Sequence, residues 1–210
     1  MLRRILSVLF TLILGLGITL YTRQLIIKRD ETVDQPALIT MVDLGYENSE
    51  TTNAIVREFK QSGYSGLVYS LKIKSNIENS TESLDIDLLQ CEDPVQAQDF
   101  YKQLLVDIYH SEREMSTCGF KDNCHIPKLT YEKTLSQLYE MDSNALNVDL
   151  AYALHDPLTF SQENKNNQLF IFNDPFVLCI ETWGIYHPLT ENQLNRLMQL
   201  FDQADVVFKD

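Results

Sequence analysis

Glycine is scarce in this chain, at 7 of 210 residues. Loops that hold phosphate groups through backbone N–H groups use several closely spaced glycines, so a nucleotide-binding loop has little support. The Gly-x-Ser-x-Gly pattern of serine hydrolases and the His-Glu-x-x-His pattern of zinc proteases are also missing. We therefore assign no catalytic, cofactor-binding or metal-binding residue, and we expect no cofactor.

Basic residues are few as well, with 17 Lys and Arg against 30 Asp and Glu. Five of the basic residues precede residue 31, so residues 31–210 hold 12 basic and 29 acidic side chains, a net charge of −17. A surface this negative repels nucleic acids and anionic lipids, and it accelerates encounter with basic proteins. The composition disfavours a nucleic-acid partner and predicts a basic protein partner.

The one long uncharged run lies near the N-terminus, at Ile5–Tyr21. As a helix, these residues span about 25 Å at roughly 1.5 Å per residue, close to the lower limit for crossing a membrane. A cleaved signal peptide and a buried soluble helix are the alternatives. The best small-residue pair for cleavage, Gly15 and Gly17, would leave an unusually short apolar region, which favours an uncleaved signal anchor.

We accordingly divide the chain into a cytoplasmic tail (residues 1–4), a transmembrane or signal-anchor segment (5–21), a polar stalk (22–36) and an acidic domain (37–210). Basic residues flank both ends of the apolar run, so the positive-inside rule is nearly balanced. The four-residue tail and the acidic domain favour a cytoplasmic N-terminus, with the domain in the periplasm or at the cell exterior. Secretion after cleavage is the alternative.

Two strands are clear from alternation of apolar and polar residues, at Leu67–Lys74 and Leu84–Leu88. If they pair, Lys72 and Lys74 share the solvent face with Asp85 and Asp87. Further strands are predicted at residues 37–42 and 148–154, and a hairpin over 168–183 turns at residues 173–175.

Helices are predicted from capping residues followed by an apolar stripe. Asp93-Pro94 is typical of a helix start, and a capping box of Thr190 and Gln193 opens the last helix. Thr130 can cap a third helix, whose inward residues would be Leu135, Leu138 and Tyr139. A fourth helix is expected over residues 50–62, and a loop over residues 111–129.

This order predicts an α+β domain: a largely antiparallel sheet of about five or six strands with helices packed on it. The two halves resemble each other weakly in element order, but no periodicity in the residues supports an internal repeat.

Four cysteines in a chain expected to be exported predict two disulfides. We pair Cys118 with Cys124, which are close in sequence, and Cys91 with Cys179. In a cytosolic protein, Cys91 and Cys179 would instead be buried thiols. A metal site at Cys118, Cys124 and His125 is the competing interpretation, but the sequence supplies no complete set of four ligands.

Two further features offer candidate sites. Acid/base pairs could form from His155-Asp156 and from His110 with Glu112 or Glu114, but any acidic chain with four histidines forms such pairs by chance. Trp183, Tyr186 and His187 lie in an aromatic connection that no periodicity explains, and they are a possible recognition loop.

The leading functional hypothesis is a membrane-anchored, extracytoplasmic, non-enzymatic binding or accessory protein. Its acidic surface would engage a basic protein, either an envelope component or a toxin. The alternatives are a small extracytoplasmic hydrolase using an Asp/His or Glu/His pair, and a structural subunit of an envelope complex.

Overall fold

The computed structural model describes residues 33–35, 37–39, 44, 49–51, 54–75, 83–119, 124–158, 166–183 and 189–208. The apolar segment 5–21, residues Tyr186 and His187, and most of the predicted stalk lie outside these ranges. In the part of the chain that is described, no helix is long and apolar enough to cross a membrane.

Within the described ranges, nine strands form one sheet in which every pairing is antiparallel. In chain order they are β1 (Val33–Gln35), β2 (Ser49–Thr51), β3 (Ala54–Gln61), β4 (Tyr64–Ser75), β5 (Ser83–Cys91), β6 (Tyr139–Glu140), β7 (Leu150–Ala153), β8 (Asn166–Asn173) and β9 (Phe176–Trp183). Their spatial order is β1-β3-β4-β5-β9-β8-β7-β6, with β2 also paired to β4.

The part of the chain that the structure describes also has four α-helices: α1 (Ala97–Cys118), α2 (Tyr131–Leu135), α3 (Ser143–Leu146) and α4 (Glu191–Val207). The α+β class and the antiparallel sheet are confirmed. The expected five or six strands were too few, because β1, β2 and β6 have only two or three residues each and are too short to show alternation.

The predicted helix over residues 50–62 is wrong. Those residues form β2 and β3, and β3 pairs along its length with β4. Ser62 and Gly63 both have positive φ, at 52° and 91°, which is the geometry of a tight two-residue hairpin turn. The spacing of the apolar residues Ile55, Val56 and Phe59 fits both a helix and a strand. The pairing with β4 makes this segment a strand.

The boundaries at the start of the domain also differ from the prediction. β1 pairs with β3, so the sheet begins at Val33, three residues before the predicted end of the stalk at Pro36. Residues 37–39, expected to begin a strand, are irregular, although Ile39 is buried in the core.

The predicted strands around residues 67–88 are confirmed as β4 and β5, which pair with each other. The predicted hairpin is confirmed as β8 and β9, in which Asn173 pairs with Phe176 and Asp174-Pro175 forms the turn. The strand expected at residues 148–154 is β7.

The helix predicted from Asp93-Pro94 is confirmed. The Asp93 side chain accepts a hydrogen bond from the backbone N of Val95, and a 3-10 turn at Pro94–Gln96 leads into α1. The helix runs to Cys118, well into the region expected to be a loop. The first four turns of the helix were predicted from their regularly spaced apolar residues. The last two turns are mostly polar and lack that spacing.

The two other predicted helix starts are also confirmed. Thr130 caps α2, and the capping box of Thr190 and Gln193 opens α4. Tyr139 does not point inward as expected: it lies in the edge strand β6 and is 41% exposed.

Each face of the sheet packs against one long helix, which gives three layers. α4 covers one face through Leu194, Leu197 and Phe201, which pack on central strand residues such as Ile86 and Leu178. α1 covers the other through Phe100, Tyr101, Leu104 and Leu105, which pack on residues such as Val177 and Phe170. Burial on both faces accounts for consecutive apolar residues, as at 169–172 of β8 and 88–89 of β5, whereas β4 alternates between an apolar α4 face and a partly polar α1 face.

Candidate functional site

A band of polar side chains crosses the α1 side of the sheet, beside the apolar residues that α1 covers. We call it the polar row. Its members are contributed by five adjacent strands: Arg57 on β3, Ser70 and Lys72 on β4, Asp85 and Asp87 on β5, Cys179 and Glu181 on β9, and Gln168 on β8.

Hydrogen bonds link the members across the strands. Arg57 Nη2 donates to Ser70 Oγ at 3.2 Å, and Ser70 Oγ donates to Asp87 Oδ1 at 2.5 Å. On the other side, Gln168 Nε2 donates to Glu181 Oε1 at 3.0 Å. These members of the row are thus bonded to neighbours on adjacent strands rather than being separate surface charges.

The predicted cross-strand ion pair is present within this network. Lys72 faces Asp85 across β4 and β5, and Lys72 Nζ lies 2.9 Å from Asp85 Oδ2. The face is less solvated than we expected, because Asp85 is only 8% exposed. In the same register, Lys74 faces Ser83 and Asp87 faces Ser70, so the four predicted residues share one face of the sheet.

The thiol of Cys179 belongs to the polar row but is a poor nucleophile. Its pKa is raised by burial, and further by the carboxylates of Asp87 and Glu181. Burial, with a contribution from Asp93, also raises the pKa of Cys91 to about 11. Since the thiolate is the reactive form, neither cysteine suits covalent catalysis near neutral pH.

The predicted disulfide between Cys91 and Cys179 is wrong: both are free thiols. They lie on adjacent strands, but Cys179 pairs with Asp87, four residues before Cys91 on β5. Four residues of strand span about 13 Å, well beyond the roughly 7 Å that a disulfide tolerates between Cα atoms. The sequence placed both residues on strands but could not give the register.

The other predicted disulfide, Cys118–Cys124, is confirmed, with Cα atoms 5.5 Å apart. It joins the last residue of α1 to residues 124–130, which we call the strap. With both sulfurs in the bridge, neither is available as a thiolate ligand, and no group of three or more metal-ligating side chains occurs among the described residues.

The strap lies antiparallel along α1. His125 Nδ1 is 3.3 Å from Glu114 Oε1, and the carbonyl oxygen of Pro127 accepts a hydrogen bond from Arg113 Nη1 at 3.4 Å. Further back on the helix, Lys128 forms an ion pair with Asp107. Two basic strap residues therefore face two carboxylates of α1.

His155 and Asp156, which the sequence offers as an acid/base pair, both make structural contacts. The Asp156 carboxylate accepts a hydrogen bond from the backbone N of Leu158, and the His155 backbone is bonded to the Asn167 side chain. Burial lowers the pKa of His155, so its ring is neutral at pH 7. The described hydrogen bonds and ion pairs do not join the His155 ring to Asp156.

Trp183 is the last residue of β9, where its backbone pairs with Ser83 and Asn166. The other two residues of the predicted recognition loop lie outside the described ranges, so that interpretation stays a prediction.

Exposed carboxylates gather at one end of the sheet, where β5 ends, β7 begins and the β8–β9 hairpin turns. We call this set the acidic rim: Glu92, Asp93, Asp142, Asp149 and Asp174. The register places them together, since Gln90 pairs with Phe176 and Leu150 with Phe172. Asp149 Oδ2 accepts a hydrogen bond from the backbone N of Asp174 at 2.9 Å, which joins two members directly.

Sequence reasoning missed the acidic rim because its members are far apart in the chain and meet only through strand register. It missed Arg57, Gln168 and Glu181 of the polar row for the same reason. The available signal was a polar residue at an alternate position of an otherwise apolar strand, as at Glu181.

Comparison with known proteins adds no relative: no family model, curated protein or solved structure matches this chain.

Proposed function

We propose that this chain is a membrane-tethered, extracytoplasmic binding protein whose acidic domain engages a basic protein partner. The observation that carries the proposal is the acidic rim, five exposed carboxylates at one end of a domain whose residues 31–210 have a net charge of −17. Clustered carboxylates make the local electrostatic potential more negative, and this potential steers and orients a positively charged protein.

Three of the rim side chains accept hydrogen bonds from nearby backbone, a role that does not require a negative charge. Asp93 and Asp142 cap helical turns, and Asp149 holds the β8–β9 turn. Asparagine and serine cap such positions about as well as aspartate. The repeated use of a charged residue is explained by an interaction beyond the domain.

The direction of β1 bears on which side of the domain would face the membrane. β1 runs from Val33, opposite Val56, to Gln35, opposite Ala54. Val33 is therefore the end of β1 nearer to the Ser62-Gly63 turn, which lies at the same end of the sheet as the rim. A tether that arrives at Val33 would place the rim on the membrane side of the domain.

The distance from the membrane is bounded by the chain between Tyr21 and Val33. Its 11 residues, 22–32, reach at most about 40 Å at 3.3–3.6 Å per residue. The partner is thus expected within about 40 Å of the bilayer, either as a juxtamembrane segment of an envelope protein or as a basic protein acting there.

Crosslinking in the native membrane, followed by mass spectrometry, tests the proposal because it identifies the partner directly. A basic protein should be recovered, crosslinked to residues near the rim. Recovery of nothing but the protein itself would contradict the binding function.

A charge-matched pair of variants adds specificity to that experiment. Asp93→Asn, Asp142→Asn and Asp149→Asn together remove three rim charges while retaining the capping side chains, and they should abolish the crosslink. Asp99→Asn, Glu191→Gln and Asp202→Asn remove three exposed charges from helices and should leave the crosslink intact. Equal loss in both variants would show that net charge, rather than the rim, determines binding.

A further inference from the structure

The strap, residues 124–130, presents basic groups to the same helix that it follows. Lys128 pairs with Asp107 and offsets its charge, and the His125 ring lies beside Glu114. The Asp107 carboxylate also accepts hydrogen bonds from Ser62 Oγ at 3.3 Å and from Gln103 Nε2 at 2.8 Å. The carboxylate is thus fixed in place whether or not the strap is present.

The strap's polar contacts with α1 are individually weak. The His125 side chain is 85% exposed, and the Lys128 side chain is 46% exposed. Exposed ion pairs of this kind stabilise little, because water competes for both partners and two long side chains must be ordered. The covalent link between Cys118 and Cys124 therefore supplies the main restraint at the start of the strap.

From this arrangement we infer that the strap is a redox-controlled cover, held on α1 by the Cys118–Cys124 disulfide. It occupies Asp107 and Glu114 in the way that a basic partner would. This inference rests on the proposed function, since it assigns a second, normally covered acidic surface to the same class of basic partner. Reduction of the disulfide releases the strap and exposes both carboxylates.

The chemistry requires a dithiol reductant. One of its thiolates attacks Sγ of Cys124, the more exposed of the two residues; the Cys118–Cys124 bond breaks, and the departing Cys118 thiolate takes up a proton. The second thiol of the reductant loses its proton and displaces Cys124 from the mixed disulfide, and Cys124 is then protonated. The reductant leaves as a disulfide, and the protein gains two electrons and two protons.

The first measurement is limited trypsin digestion of the full chain, before and after treatment with dithiothreitol, with cleavage after Lys128 followed by mass spectrometry. Cleavage there should accelerate by about tenfold or more, since proteolysis follows the population of locally opened chain. Cleavage after Arg196, in α4, reports global unfolding and should not change. Protection of Lys128 after complete reduction would overturn the inference.

The second measurement is the affinity of a ten-residue lysine peptide for the oxidised and the reduced protein. Reduction should tighten binding by about threefold or more, a change of the size that an exposed ion pair contributes. The variant Cys118→Ser with Cys124→Ser should bind as the reduced protein does, with or without dithiothreitol. Asp107→Asn with Glu114→Gln should remove the gain, whereas Asp99→Asn with Glu191→Gln should retain it.

The two proposals fail in different ways. Equal binding in both redox states would overturn the strap inference and leave the acidic domain as a binder of basic chains. Binding in neither state would contradict the proposed function itself.

Discussion

At the scale of single residues, the hydroxyl of Tyr101 shows how one buried polar group is accommodated between α1 and the sheet. It donates a hydrogen bond to the carbonyl oxygen of Phe170 at 3.0 Å, and the ring packs 5.5 Å from that of Phe172. Burial raises the pKa of Tyr101, so the phenol remains protonated and continues to donate. The bond joins the helix to β8 inside the core.

Tyr101→Phe should lower the free energy of unfolding by about 1–2 kcal/mol, because a buried carbonyl loses its partner. Urea denaturation followed by circular dichroism measures the change. The matched control is Tyr139→Phe, at a side chain 41% exposed, which should change stability very little. A Tyr101→Phe variant as stable as the unaltered protein would show that the hydrogen bond contributes nothing net.

The free thiols predict a loss of stability in alkaline solution. An unperturbed cysteine ionises near pH 9.0, whereas in the folded protein Cys91 keeps its proton up to about pH 11. Between these values the unfolded chain binds fewer protons than the folded one, so the free energy of unfolding falls as the pH rises. The raised pKa of Cys179 acts in the same direction.

The contribution of Cys91 should be roughly 2–3 kcal/mol, lost between about pH 9 and pH 11. Denaturation at a series of pH values measures the slope, and Cys91→Ala removes the group that titrates. The variant should lose less stability over this interval than the unaltered protein. Identical slopes would mean that the Cys91 thiol ionises as readily in the folded as in the unfolded chain.

At the scale of elements, the pairing of β4 with β5 leaves no room for a side chain at Gly66. A Cβ atom at this position would lie 2.0 Å from the carbonyl oxygen of Gln90 and 2.8 Å from Cε1 of Phe59. The contact with Gln90 is with backbone, so it cannot be relieved by a rotamer change. The absence of a side chain at Gly66 permits the pairing.

Gly66→Ala should destabilise the domain by about 3 kcal/mol or more, because the paired strands must separate. Gly63→Ala is the control: a Cβ there meets nothing within 4 Å, and the positive φ of 91° should cost only about 1 kcal/mol. Thermal unfolding of both variants gives the comparison. Equal destabilisation would show that close strand approach is not the constraint at Gly66.

The elements that sequence reasoning located correctly are those that carry a local signal. Asp93-Pro94 and the Thr190–Gln193 capping box determine helix starts through bonds made within four residues, and both were predicted. The strands β4 and β5 alternate along enough residues to be recognised. These features depend little on the rest of the fold.

The features that were missed depend on contacts between distant residues. The segment 54–61 contains apolar residues that fit a helix, and only pairing with β4 makes it a strand. The disulfide pairing of Cys91 with Cys179 failed because register, which the sequence does not reveal, places them too far apart. The polar row and the acidic rim were missed for the same reason, since strand pairing brings their residues together.

At the scale of the whole molecule, charge and topology combine. Residues 31–210 have a net charge of −17, and the sheet gathers five exposed carboxylates at the end where β5 ends and the β8–β9 hairpin turns. The opposite faces of the sheet are covered by α1 and α4. The end of the sheet, rather than either face, is therefore the surface that our account assigns to the partner.

The most direct test of the account is the salt dependence of the complex between the full chain, in its native membrane or in mild detergent, and the partner identified by crosslinking. Association through the acidic rim should weaken by about tenfold or more between 50 and 500 mM NaCl, because exposed charges are screened within about 10 Å at 0.1 M salt. Asp93→Asn, Asp142→Asn and Asp149→Asn together should reduce that dependence. Tight binding that does not change with salt would contradict the account.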